Sequence, residues 1–248
     1  MSTPLRPAAA CLTRASITSS LKVELRRLTR SGLGLGVLVG FAFFGLSSPV
    51  LSIYMPEILG AAASTDQLAI SASQATPADA ISLFNQSAMQ LGLIVTVAVA
   101  ITSIGWDTRP GSSIFYRTRV HRLSTVLLPR LIIDWLIALA TYSCGLLLAV
   151  VVTASAIGRP PAGMVVRTWM ACGLYIVMAM SIGHLIAASL RRTTTAIALT
   201  TLLVLVLPVM NQVPGMSRRL PTALLLPTGP HAMPVIAALV VIALCAVG

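Results

Sequence analysis

Ser181 and His184 lie three residues apart in the middle of an apolar run. On a helix that spacing puts both on one face, the minimum needed for a hydroxyl to hand its proton to an imidazole. An intramembrane hydrolase also needs donors aimed at a developing oxyanion, and no glycine turn stands beside Ser181 to supply them. The pair therefore reads as a polar helix contact rather than a catalytic dyad. Asp134 is the acidic residue set inside an apolar run, and an intramembrane carboxylate is by default a candidate for handling protons or substrate. Arg130 precedes it by four residues, so the expected arrangement is a neutralised ion pair at the membrane boundary, ahead of a proton relay.

Nucleotide hydrolysis of the P-loop kind requires a glycine-rich turn ending in Lys and Ser or Thr. Lys22, the sole lysine, sits among arginines with no glycine before it, so the chain is not expected to hydrolyse ATP by itself. Cys11, Cys144, Cys172 and Cys245 show no metal-ligand spacing and read as small packing residues. No catalytic, cofactor or metal site is expected.

Few elements are available to position these residues. Of the 248 residues, 56% are hydrophobic and 9% charged, against roughly a quarter charged in soluble domains; mean hydropathy is +0.92. The apolar residues run in stretches long enough to cross a hydrocarbon layer of about 30 Å. Six spans are expected, at residues 31–53, 84–106, 127–156, 164–189, 193–210 and 231–247. Residues 1–10 lack the apolar core of a secretory signal, so the N-terminus is expected in the cytoplasm.

Basic residues orient the spans. Six precede the first span, five follow the second and two follow the fourth, which places thirteen of seventeen on one side. By the positive-inside rule both termini face the cytoplasm, and the net charge of +11 reports topology rather than nucleic-acid binding. Two cytoplasmic stretches are amphipathic. Ile17, Leu21, Leu25 and Leu28 recur at helical spacing against Lys22, Arg26, Arg27 and Arg30. Tyr116, Val120, Leu123 and Leu127 form a second stripe, with Arg117, His121 and Arg122 opposite and Arg119 at its margin. Periodicity leaves open whether either is a charged anchor or a docking surface.

Three strings carry a family resemblance. SSPVLSIYMPEIL (Ser47 to Leu59), TPADAISLFNQSAMQLGLI (Thr76 to Ile94) and WDTRPGSSIFYRTRVHRL (Trp106 to Leu123) occur in the order found in one branch of the type-2 ATP-binding-cassette (ABC) export permeases. The chain resembles these six-helix membrane subunits over nearly its whole length. In the third string the family usually has Glu, then Gly, then a basic helix that docks on a separate ATPase. Here Asp107 stands at the Glu position, Gly111 matches, and Arg130 lies near a common Lys. The resemblance implies an interfacial elbow helix within residues 1–30, a coupling helix from Gly111 to about Val126, and ATPase-coupling roles for Asp107, Gly111, Arg117, Arg119, His121 and Arg122. It also implies an exterior motif of Tyr54, Pro56 and Glu57, in which Pro56 is expected to break the helix and Glu57 to cap or turn the backbone.

The expected fold is thus an all-α integral membrane protein, with a cytoplasmic N-terminus (1–30) and a six-helix permease domain (31–248). The expected function is the permease subunit of a plasma-membrane ABC exporter for an amphipathic or hydrophobic compound such as a drug, lipid or peptide. It would pair with a cytoplasmic ATPase subunit, which carries the ATP, and with a second permease subunit, identical or homologous. The alternatives are a non-transporting immunity or sensor protein and a stand-alone ion-coupled carrier.

Overall fold

The computed structural model describes Lys22, Arg26, Arg30 and residues 32–63, 75–104, 124–190, 192–210 and 232–247. Six long helices occur among them: α1 (Leu33–Ala63), α2 (residues 77–104), α3 (Ser124–Ala156), α4 (Ala162–Leu190), α5 (Thr193–Met210) and α6 (Ala232–Val247). Lys22, Arg26 and Arg30 are also helical and exposed, one above another on a single face. The apolar residues of that amphipathic stretch lie outside the described residues.

Segments of α1, α2, α3 and α4 are long and apolar enough to cross a membrane: Leu33–Met55, Pro77–Ser103, Arg130–Ala156 and Ala162–Leu190. Their exposed side chains include Val39, Phe43, Leu136, Leu147, Val166 and Met170, a surface that hydrocarbon solvates and water does not. Among the described residues the regular structure is entirely helical, and these four helices mark the chain as a multi-pass membrane protein. Helices α5 and α6, with 18 and 16 residues, are apolar but shorter, about 27 and 24 Å against a core of roughly 30 Å.

Two helix ends differ from the sequence expectation. Helix α1 continues through Pro56 to Ala63. Proline deletes one i→i−4 hydrogen bond, yet its fixed φ is helical, and a membrane helix absorbs the loss; Pro49 sits in the same helix. Helix α2 begins at Pro77, seven residues before the expected start at 84, because a capping box opens it. The Thr76 N–H donates to Asp79 Oδ2 at 3.1 Å, and the Asp79 N–H returns to Thr76 Oγ1 at 3.3 Å. These bonds satisfy two otherwise orphaned amides, and Pro77 needs none. Thr76→Ala is expected to cost about 1 kcal/mol and to speed amide exchange at residues 78–80. Unchanged exchange there would remove the cap from the account.

The turn between α3 and α4 is short. The amides of Ile157 and Gly158 both reach the Thr153 carbonyl, at 2.9 and 3.0 Å, and Gly158 takes φ +144°, a conformation suited to glycine. Pro161 then offers its carbonyl to Met164 and Val165. Helix α4 occupies the middle of the bundle, against α2, α3, α5 and α6, while α1 lies along α3 and α2. Glycines set the α1–α3 crossing: a Cβ on Gly145 would stand 2.7 Å from the Phe41 carbonyl oxygen, and one on Gly45 would overlap the Gly145 carbonyl. Backbones this close are the usual consequence of small residues at a membrane helix interface.

Candidate functional site

Three polar side chains are buried together at the end of the bundle where α2 and α4 finish and α3 begins. Ser103 lies in the last described turn of α2, Asp134 about three turns into α3, and His184 within two turns of the end of α4. Alternating helix direction brings these sequence positions to one depth. Their relative exposures are 2%, 4% and 7%, so water does not solvate them and their partners must.

Ser103 Oγ donates to Asp134 Oδ2 at 2.7 Å, and also lies 2.7 Å from the Ala100 carbonyl. His184 Nε2 stands 3.2 Å from the same carboxylate oxygen, while Nδ1 faces the Met180 carbonyl at 3.0 Å. The Nε2 contact has an ion-pair distance but lies off the line of a hydrogen bond, so Nε2 makes none; the contact is electrostatic. Arg130, one turn before Asp134, reaches the Ser103 carbonyl at 3.4 Å. The contacts of Asp134 are thus to Ser103 and His184 rather than to the expected Arg130, which reaches the same cluster through the Ser103 carbonyl and links α2 with α3.

The connectivity restricts the chemistry. A hydrolytic triad places the imidazole between serine and carboxylate, whereas here the carboxylate lies between serine and imidazole. Ser181, the other candidate partner of His184, donates to the Val177 carbonyl of its own helix at 2.7 Å. The arrangement suits tying helices together. Among the described residues, no group of three or more His, Cys, Asp or Glu forms a metal-type cluster.

A second polar contact lies deeper in the bundle. The Tyr142 hydroxyl donates to Asn85 Oδ1 at 2.8 Å, and the Asn85 amide donates to the Ile81 carbonyl at 2.9 Å. The Tyr142 ring is stacked with Phe84 and edge-on to Phe41, both at 5.9 Å between centroids. This unit joins α1, α2 and α3.

The outward face of α2 is polar. Ser82, Gln86 and Gln90 are all exposed, with Gln90 midway between Pro77 and Ser103. A π-helical turn, Ala88–Gly92, shapes this stretch. It sets Gly92 beneath Phe41, whose ring a Cβ there would meet at 2.8 Å, while Gln90 remains outside. Leaving an amide unpaired in hydrocarbon costs several kcal/mol, on the order of 4–8 by transfer to cyclohexane.

Tyr54 and Glu57 are exposed near the far end of α1, and the backbone at Pro56 is helical. Asp107, Gly111, Arg117, Arg119, His121 and Arg122 lie outside the described residues. Sequence reasoning missed Ser103 and the partnership of His184 with Asp134; counting residues inward from each end of antiparallel spans would have matched their depths. No protein-family model, curated protein or solved structure matches the chain.

Proposed function

We propose that the chain is the permease subunit of an ABC-type exporter, with six spans and both termini on the cytoplasmic side of the plasma membrane. It moves an amphipathic or hydrophobic compound outward, together with a second permease subunit and a separate ATPase that binds the ATP. The observation that carries this reading is the exposed series Ser82, Gln86 and Gln90 on α2. A polar face at mid-span needs a protein partner or a water-lined path, and a permease that forms its path against a second subunit has both. The ordered strings around Tyr54, Phe84 and Gly111 support the same reading, as does the lack of a P-loop.

The coupling segment supplies the test. Arg117 and Arg122 lie opposite the Tyr116, Val120 and Leu123 stripe in a helical projection, so charge and packing are separable. Replacing both arginines with Glu sets like charges against an acidic groove, a clash worth several kcal/mol. Export and ATPase co-purification should then fall at least about tenfold, with a smaller loss for the double Ala variant. Equal binding and efflux in wild type and the Glu variant, at matched expression, would overturn the reading.

A further inference from the structure

We propose that the polar stripe of α2 is the seam of a parallel homodimer, in which Gln86 and Gln90 hydrogen-bond to the same residues of a second copy of this chain. This rests on the reading above, which sets a second permease subunit beside this one, and it names that subunit as an identical copy. Ser82, Gln86 and Gln90 are exposed on one face of α2, while Ile81, Phe84, Ala88, Met89 and Gly92 are buried on the other. Neither glutamine amide hydrogen-bonds to a described residue. Gln90 stands at the middle of the Pro77–Ser103 span, about 20 Å from either end at 1.5 Å per residue. Its side chain is too short to reach headgroup water, so the amide needs a partner within the membrane.

Three features single out a copy as that partner. A primary amide both donates and accepts, so one glutamine finds in another everything it lacks. Copies of one chain insert in one orientation. A two-fold axis between them therefore runs along the membrane normal, α2 packs parallel to its mate, and residues near the axis face themselves at equal depth. Finally, residues 80–104 carry no acidic or basic side chain, so no like charges meet at that axis.

The π-turn improves the register. The Leu93 N–H bonds the Ala88 carbonyl, and this wider turn advances less per residue than an α-turn. It brings Gln90 more nearly over Gln86, so the two amides form one row along the axis. Leu91 and Val95, both exposed, flank the row and close against their mates, which keeps water from the amides. Away from the crossing the two helices diverge by about 20–40°, which separates the exposed Asp79 of each copy.

The test places a photoreactive benzophenone amino acid at Gln86 or at Gln90, each leaving the other amide in place. The full chain is co-expressed in its membrane with a differently tagged copy, and no ATPase is required. Illumination should link the two tags from both positions and not from Leu136, an exposed residue of α3. No linkage from residues 86 and 90, linkage only to a different protein, or equal linkage from residue 136 would each overturn the proposal. A water-lined path along α2 predicts instead that Gln90→Cys reacts with a charged maleimide while the copies stay unlinked. That result would overturn the seam and leave the exporter reading standing, whereas linked copies without ATP-driven efflux would do the reverse. A second measurement weighs the amides, with energy transfer between labelled copies followed as vesicles are diluted with lipid. The Gln86→Leu/Gln90→Leu variant should lower the association constant about tenfold, because leucine packs but neither donates nor accepts. An unchanged constant would equally overturn the proposal.

Discussion

Gly145→Leu is expected to prevent the chain from reaching its packed state, whereas Gly36→Leu is expected to leave it intact. The two glycines differ in what a side chain would meet. Around Gly36 nothing lies within 4 Å of a new Cβ, and the residue is exposed. At Gly145 the first carbon alone would stand 2.7 Å from the Phe41 carbonyl oxygen and 3.0 Å from its carbonyl carbon and Cβ. Overpacking where side chains can yield costs about 1–3 kcal/mol; here the obstacle is backbone, so α1 itself must move. That movement would also displace Phe41, whose ring covers Gly92 and meets Tyr142 edge-on. Three helices thus lose their common contact, which puts the cost above the usual overpacking range. Size-exclusion profiles of fluorescently tagged protein in mild detergent measure the outcome. A monodisperse Gly145→Leu peak, stable to the same temperature as Gly36→Leu, would show that the crossing is not essential.

The legible parts of this fold were those in which hydrophobicity alone marks the boundary. Residues 193–210 and 231–247 are apolar runs flanked by arginine on one side or proline-rich sequence on the other, and α5 and α6 occupy them almost residue for residue. Helix α2 was harder to read because Ser82, Asn85, Gln86 and Gln90 make its first half resemble a loop. The Thr76-Pro77-Ala78-Asp79 sequence nevertheless carries the start signal of a capping box with proline at the first helical position. Pro56 misled in the opposite direction, since a proline restricts the helix behind it without ending it. The π-turn at Ala88–Gly92 has no composition of its own. It shows only once Gly92 is seen to pack under Phe41.

The candidate site was half legible for a related reason. Arg130 and Asp134 are neighbours on one helix, so spacing along the chain reveals them. Ser103 and His184 meet Asp134 across helices that run in alternating directions, and their sequence separations carry no regular spacing. What the chain did display was that each is a lone polar group near the same end of an apolar span. In hydrocarbon such groups seek one another, because lipid offers no hydrogen-bond partner.

That dependence makes removal of one partner worse than removal of both. Asp134→Ala deletes the group that accepts from Ser103 and faces His184 Nε2, leaving that buried nitrogen without the polar group it approaches. Ser103 is less affected, because its hydroxyl also reaches the Ala100 carbonyl. Breaking a buried pair by removing one member typically costs about 3–5 kcal/mol, whereas replacing the whole pair with apolar residues of similar volume is often neutral or stabilising. The expected order of thermal stability is therefore wild type near the Asp134→Leu/His184→Met double variant, with Asp134→Ala well below both. His184→Met alone should fall between, because the carboxylate it leaves keeps Ser103 and lies one turn from Arg130. A double-mutant cycle on Asp134→Leu and His184→Met measures the coupling, which should exceed 1 kcal/mol for groups in direct contact. Additive losses would mean that Asp134 and His184 stabilise the bundle independently, and the 3.2 Å approach would then be proximity without interaction.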